Sequence, residues 1–590
     1  MKFIGNVLAT IIGIFVFCLL FFLGIIIIGT IAGSDEKIIE VKNNSVIELD
    51  LSEVSLDYTG RFKPSPMDIF FQDENTAGLT NVLNALENAK TDDNIKGISI
   101  LKNQLQLDMA QIQALRQKLE EFKKTGKFVI AYSEFLTQKD YYLNSVADTL
   151  YLNPVGELDF KGLSSEVLFL KELQEKTGVK MEVIRHGKYK SAVEPYLNQE
   201  MSPENREQVS VLLNSIWNVI VNDISKSRNI SVETLNLIAN NLNARTPKLA
   251  LANKLIDKIA YEDEYHAAIK TRLAVSKKED YNRISILDYT KDKATSASSY
   301  TKKDKIAIIY AQGEILGGEG SVNIIGEGSI KKSLKDARED KNVKAIVLRV
   351  DSPGGSSVTS ELIWREIELT KKIKPVVVSM GNVAASGGYY IACNANTIFA
   401  EKSTITGSIG VFGVLPNMAT LAKNIGINAE QVKTHKNASG YSLFEPLDAD
   451  FKQFTLESVE NVYETFLERV ATGRKMTIEQ VDAIAQGRVW TGADALKLGL
   501  VDKMGGLEEA IKHAAKLGKT KSYQTENYPE YKRNSEDLLK GLTGISMFQS
   551  KEELLKEQIG EEGYQLLEQI KRVNQLKGTQ ARMPFELKIK

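Results

Sequence analysis

Residues 375–413 read PVVVSMGNVAASGGYYIACNANTIFAEKSTITGSIGVFG, and this stretch decides the fold. Val376, Val377 and Val378 form a short apolar run that suits a buried strand. The chain then enters a turn of small residues, with Ser386 flanked by Ala385 and by Gly387 and Gly388, and continues into an apolar segment expected to be helical. Small neighbours let a second backbone approach the Ser386 hydroxyl, and a helix starting just after it offers free N–H groups to an anion. A Gly-rich strand-to-helix turn without chemistry has the same local signature. The rest of the chain must decide between the two.

Working outward, 590 residues are too many for one core and imply two to four domains. Charge is balanced, with 75 Lys and Arg against 76 Asp and Glu, so nothing points to nucleic acid. Cys18 and Cys393 are the two cysteines, too few and too far apart for a disulfide framework or a thiolate metal site. Only four histidines occur: His186, His266, His435 and His513. No HExxH, EF-hand or Cys-based ligand spacing appears, so neither a metal nor a cofactor is expected.

Phe3 to Ala32 is nearly all apolar, long enough to span the hydrocarbon core of a bilayer as a helix of about 20 residues with tilt to spare. Thr30-Ile31-Ala32 is a poor signal-peptidase exit. Lys2 precedes the run and Asp35 and Glu36 follow it, which places the N-terminus in the cytoplasm and the remainder outside.

Beyond this anchor the chain repeats itself. Asn94-Ile95-Lys96-Gly97-Ile98 matches Asn342-Val343-Lys344-Ala345-Ile346, Tyr141-Tyr142 matches Tyr389-Tyr390, and Gly178 matches Gly426. These pairs keep one separation of 248 positions (342−94, 389−141, 426−178). Arg228 pairs with Arg474 and Asp257 with Asp502 at nearly the same distance. Within each copy, β-rich runs (346–350, 376–379, 397–400) alternate with helical patterns (360–372, 454–472), as in βαβ units of an α/β fold. The expected organisation is an anchor at 1–34, a first copy at 35–290, a polar linker at 291–305, a second copy at 306–525 and a tail at 526–590. In the tail Leu555, Ile559, Leu566, Ile570 and Val573 fall at helical spacing, the pattern of a docking helix.

The copies have lost complementary features. Ser386 falls opposite Gln138, and the turn Asp351-Ser352-Pro353-Gly354-Gly355 falls opposite a stretch without glycine. The first copy instead carries His186-Gly187-Lys188-Tyr189-Lys190-Ser191-Ala192-Val193-Glu194-Pro195, whose counterpart at 435–446 keeps the His and the Glu-Pro but has no lysine in the place of Lys190. One composite site shared between two copies would leave this pattern.

A serine needs a base to take its proton. Neither His186 nor His435 lies in the small-residue turns, whereas a lysine serves if desolvation lowers its pKa from about 10.4. Lys190 has Tyr189, Ala192 and Val193 beside it, and Lys188 is equally placed on local grounds. For an oxyanion, the glycines of Ser352-Pro353-Gly354-Gly355 and the N–H of Gly387 are candidate donors, and Thr406-Gly407-Ser408-Ile409-Gly410 supplies a further hydroxyl.

YKSAVEP (189–195), MSPENREQ (201–208), VKAIVLRVDSPGGS (343–356), SMGNVAASGGYY (379–390), TGSIGVFG (406–413) and GRVWTGADALKLGLVD (487–502) are together similar to the signal peptide peptidase A family in its long, duplicated form, also called protease IV. The resemblance runs to about residue 520. It implies tandem domains of the Clp- and crotonase-like α/β fold, with Ser386 as nucleophile, Lys190 as general base, Ser408 orienting the lysine, and Gly354 or Gly355 with Gly387 as the oxyanion hole. It further implies a homotetramer at the bacterial inner membrane, single-pass through residues 3–32, with periplasmic catalytic domains that degrade signal-peptide remnants.

Rival readings are a silent membrane-tethered scaffold or peptide-binding protein of the same fold, and an acyl-CoA enzyme, which the extracytoplasmic orientation disfavours. Ser329-Ile330-Lys331-Lys332 fits S-x-x-K but lacks the partner motifs of penicillin-binding enzymes. Gly318-Glu319-Gly320 starts like a dinucleotide fingerprint, but Asn323 stands where its last glycine belongs. His435 as the base of a Ser-His-Asp triad competes with the intact YKSAVEP.

Overall fold

The computed structural model describes residues 5–6, 9–17, 20, 24, 40–62, 77–101, 104–297, 303–531 and 580–583. The expected anchor at 3–32 and the helical spacing at 555–573 fall largely or wholly outside these residues. Among the described residues no helix is long and apolar enough to cross a membrane.

Each half of the chain builds one largely parallel sheet, and the strand order is the same in both. In the first half it runs Asn282–Ser285, Ser45–Glu48, Ile95–Ile100, Phe128–Leu136, Thr149–Leu158, Lys258–Ile259. In the second it runs Tyr523–Tyr528, Asp304–Gln312, Val343–Ser352, Val376–Ala385, Thr397–Ala400, Lys503–Met504. Parallel strands covered on both faces need near-continuous apolar sequence. Ala345 to Leu348 and Val376 to Val378 meet that requirement and are fully buried.

The duplication extends to single contacts. The Tyr141 hydroxyl donates to the Leu255 carbonyl at 3.0 Å, and that of Tyr389 to the Leu500 carbonyl at 2.9 Å. Arg228 pairs with Asp257 at 2.9 Å and Arg474 with Asp502 at 2.6 Å. Helices Pro203–Arg228 and Ala449–Arg474 correspond as well. The Ser202 side chain caps the first and Asp448 the second, and each ends on a left-handed residue, Asn229 and Lys475.

The halves are joined by packing and by buried charge. Ala385, Ile405 and Val489 of the second half belong to the apolar core of the first. Asp57 of the first half holds the buried Arg349 of the second at 2.6 Å, and Lys118 reaches Glu508 at 2.5 Å.

A third sheet crosses between the halves and carries the site. Its order is Ile324–Ile325, Glu314–Ile315, Gly354–Ser356, Gln580–Arg582, Val411–Asn417, Lys180–His186. The last strand comes from the first half and pairs antiparallel with Val411–Asn417 over seven residues, from Val411 opposite His186 to Asn417 opposite Lys180.

Three expected boundaries shift. Helix Ile286–Ala297 runs into the stretch 291–305 expected as linker, because Ile286 and Tyr289 are fully buried and seat it on the first core. Strand Asp304–Gln312 begins before that stretch ends. Strand Tyr523–Tyr528 straddles the expected end of the second copy at 525 because it completes the sheet beside Asp304–Gln312. In the tail, the described residues form the short strands Glu530–Tyr531 and Gln580–Arg582, and the former pairs with Arg61–Phe62 of the first half.

Candidate active site

Ser386 stands between strand Val376–Ala385 and helix Gly387–Ala392, with φ 54° and ψ −114°. A non-glycine residue in such a conformation costs on the order of 1–3 kcal/mol and persists only where its surroundings fix it. Here its N–H donates to Gly407 O at 2.8 Å and its carbonyl accepts from Tyr390 N at 2.8 Å. The Ser386 hydroxyl is thereby held fully buried, 2.9 Å from Lys190 Nζ, and donates to Gly410 O at 3.4 Å.

Lys190 reaches that position because its strand, Lys180–His186, is hydrogen-bonded to the second half four residues earlier. Tyr189 N donates to Gln486 O at 2.9 Å. Gly487 packs so closely that a side-chain carbon there would stand 2.7 Å from Lys190 Cβ. Besides Ser386, Lys190 Nζ meets Ser408 Oγ at 3.0 Å and donates to Ser408 O at 3.1 Å, with the Phe412 ring centred 6.0 Å away. Lys190 is fully buried, and burial alone drives its pKa well below the usual lysine value. Burial thus favours the neutral amine, the form that can accept a proton. Lys188 is exposed.

Ser408, at φ 50°, is a second serine in a left-handed conformation, and its N–H donates to Arg488 O at 2.7 Å. Gly354 and Gly355 have φ of +98° and +152°, and a side-chain carbon on Gly355 would stand 2.0 Å from Ile315 O. No side chain fits there. The Gly354 N–H is engaged by Ser352 Oγ at 3.1 Å, and Gly355 stands opposite Ala581 of the strand Gln580–Arg582.

The six expected site residues thus converge, Lys190 from one half and the other five from the second. His186 instead stacks on Tyr463 at 4.1 Å, and exposed His435 contacts Thr434 Oγ1 at 3.1 Å. Ser329 donates to Gly326 O at the start of its helix, and Gly318 and Gly320 lie in a loop at positive φ. Cys393 is buried, and burial pushes its thiol up to about 12.

Sequence reasoning missed the residues that position Lys190. Buried Glu194 accepts from Ser202 Oγ at 2.5 Å and from Asn205 Nδ2 at 3.0 Å, while Gln208 Nε2 donates to Tyr189 O at 3.0 Å and to Ser191 Oγ at 2.8 Å. The signal was present: Asn205 and Gln208 lie three apart on one helix face inside MSPENREQ.

The model of Peptidase family S49 matches residues 121–276 and 368–521. Protease 4 of Salmonella typhi is 39% identical over 477 residues, covering 79% of this chain and 76% of that protein. Protease 4 of Haemophilus influenzae is 37% identical, covering 74% and 72%. The chloroplastic serine protease SPPA of Arabidopsis thaliana is 35% identical, covering 78% and 68%. Among solved structures, a point mutant of ClpP1 from Listeria monocytogenes is 14% identical, covers 35% of this chain and 94% of that one, and has a TM-score of 0.24, too low to argue from. The two S49 segments begin 247 positions apart (368−121), almost the spacing of the internal repeat, and the motifs quoted from the sequence lie in and around them. The chain belongs to peptidase family S49 and is a serine peptidase of its long, duplicated form.

Proposed function

We propose that the chain is an endopeptidase working through a Ser386–Lys190 dyad and a covalent acyl-enzyme, acting on cleaved signal peptides and other short or unfolded peptides at a membrane. One observation carries this reading: a fully buried amine, its pKa lowered by burial, 2.9 Å from the hydroxyl of a serine on a strained turn.

Neutral Lys190 takes the Ser386 proton as Oγ attacks the peptide carbonyl. The developing oxyanion is met by backbone N–H groups, with Gly355 favoured over Gly354 because Ser352 occupies the Gly354 N–H, and with Gly387 as the second donor. The Lys190 ammonium then returns its proton to the leaving amine, and water releases the acyl group by the same steps in reverse. Ser408 holds Nζ through both its hydroxyl and its carbonyl.

Membrane attachment through residues 3–32, with the N-terminus cytoplasmic and the peptidase domains periplasmic at the bacterial inner membrane, rests on the apolar run and its flanking charges. Assembly as a homotetramer and the Clp- and crotonase-like class of the two α/β units rest on the motif resemblance, and the repeated strand order supports the latter.

The test is hydrolysis of a small peptide ester. Ser386→Ala and Lys190→Ala are each expected to abolish turnover while circular dichroism and gel-filtration volume stay unchanged. Near-normal turnover in either variant would rule out the dyad.

A further inference from the structure

The described end of the tail lies in the cleft where this chemistry would occur. Gln580–Arg582 is inserted antiparallel to Gly354–Ser356 on one side and to Val411–Asn417 on the other. Gly354 faces Arg582, Gly355 faces Ala581, and Ser356 and Phe412 both face Gln580. Met583 N donates to Pro353 O at 2.6 Å. Hydrogen-bonded pairs alternate along an antiparallel ladder, so the next one joins Gly355 to Ala581.

This register aims one carbonyl at the reacting centre. A side-chain carbon on Gly354 would stand 2.1 Å from Ala581 O, and one on Gly387 3.0 Å from it. The Ala581 carbonyl oxygen therefore lies between the glycine turn and the residue after Ser386, where the two candidate oxyanion donors converge. Ala581 has no exposed surface, so its site is small. One residue further, Arg582 Nη1 reaches Glu314 Oε1 at 2.8 Å, and Met583 belongs to the apolar core of the first half, which Ala385 also joins.

We propose that residues 580–583 occupy the cleft in substrate register, with the Ala581–Arg582 bond at the position of a cleaved bond, and that Glu314 selects an arginine or lysine on its leaving side. Glu314 sits on the short strand Glu314–Ile315, paired with the glycine strand, so its backbone is fixed relative to the cleft. A charge on a fixed element beside the scissile bond discriminates by attraction and by like-charge repulsion. The tail strand competes with peptides for the same backbone groups.

The inference rests on the Ser386–Lys190 reading, and the experiment separates the two. The full-length protein is given two peptides that differ at one residue, one containing Gln-Ala-Arg-Met and the other Gln-Ala-Glu-Met, and products are mapped by mass spectrometry. Cleavage between Ala and Arg is expected, with kcat/KM about tenfold above the acidic peptide. Glu314→Asp should keep that ratio, Glu314→Gln should bring it to about one, and Glu314→Arg should invert it. Arg582→Glu should lower KM for the arginine peptide, because the tail loses its hold on Glu314. Cleavage at another bond, or a ratio unmoved by Glu314→Arg, overturns the inference while leaving the dyad standing. Undiminished cleavage in Ser386→Ala would instead remove the dyad reading beneath it.

Discussion

Lys190 Nζ and Ser386 Oγ, 196 positions apart in the chain and in opposite halves of a duplication, stand 2.9 Å from each other in the interior. The seven-residue pairing of Lys180–His186 with Val411–Asn417 makes this contact, and the loop after the first strand delivers the amine. Neither half holds both groups, so the site exists only when the halves are docked.

The charge state of the amine gives a pH dependence with a fixed sign. The base works when neutral, and burial lowers the pKa of Lys190. Peptide-ester turnover should therefore persist below the ordinary lysine range and fall as pH drops through that lowered value. A kcat/KM profile from pH 4 to 11 checks it, and an acid limb that stays at the ordinary lysine value would contradict it.

Burying the amine also costs stability. Between its ordinary value of about 10.4 and its lowered folded value, the unfolded chain binds a proton that the folded chain does not, so stability falls as pH falls through that window. Below the folded value both states are protonated and the penalty stays constant. Lys190→Met should be inactive yet melt higher than the wild type, and the gap should widen from pH 10 toward neutrality. Thermal denaturation at several pH values measures this, and a variant that melts lower throughout would contradict it.

Ser408 holds Nζ through its side chain as well as its carbonyl. Ser408→Ala should lower kcat by about 10²-fold with KM little changed, because a misplaced catalytic group loses reactivity before binding. The lost hydroxyl also accepted from the charged amine, so the acid limb of the pH profile should move to lower pH. A loss in kcat without that movement would assign Ser408 a structural role only.

Asp57 and Arg349 form one buried charged contact between the halves. Asp57→Ala leaves a buried guanidinium without its carboxylate and should cost about 3–5 kcal/mol, read as a shift in chemical denaturation. Replacing both residues, as Asp57→Leu with Arg349→Met, should recover much of it. An unchanged midpoint for Asp57→Ala would mean the pair contributes nothing to the joint.

The duplication was legible because paired residues such as Tyr141 and Tyr389 keep their spacing, and they make the same contact in each half. The turn around Ser386 was legible from its small residues. Lys188 and Lys190 could not be told apart locally, because Gln486 and Gly487, distant in sequence, bury one and leave the other exposed. Gly354 and Gly355 were likewise equivalent until the Ser352 hydroxyl engaged one of them. Gln580–Arg582 is too short and too polar to read as a strand, and it becomes one because two edges of a cleft stand ready to pair with it. The stretch read as a linker looked polar, yet two buried residues just before it, Ile286 and Tyr289, anchor a helix that runs through its first part.

The most direct test of the central claim is labelling with a serine-directed acylating probe, mapped by mass spectrometry of the digested protein. The wild type should carry the label on Ser386, and Lys190→Met should carry almost none because its serine has no base. A label on any other hydroxyl, or undiminished labelling of Ser386 in Lys190→Met, would contradict the account.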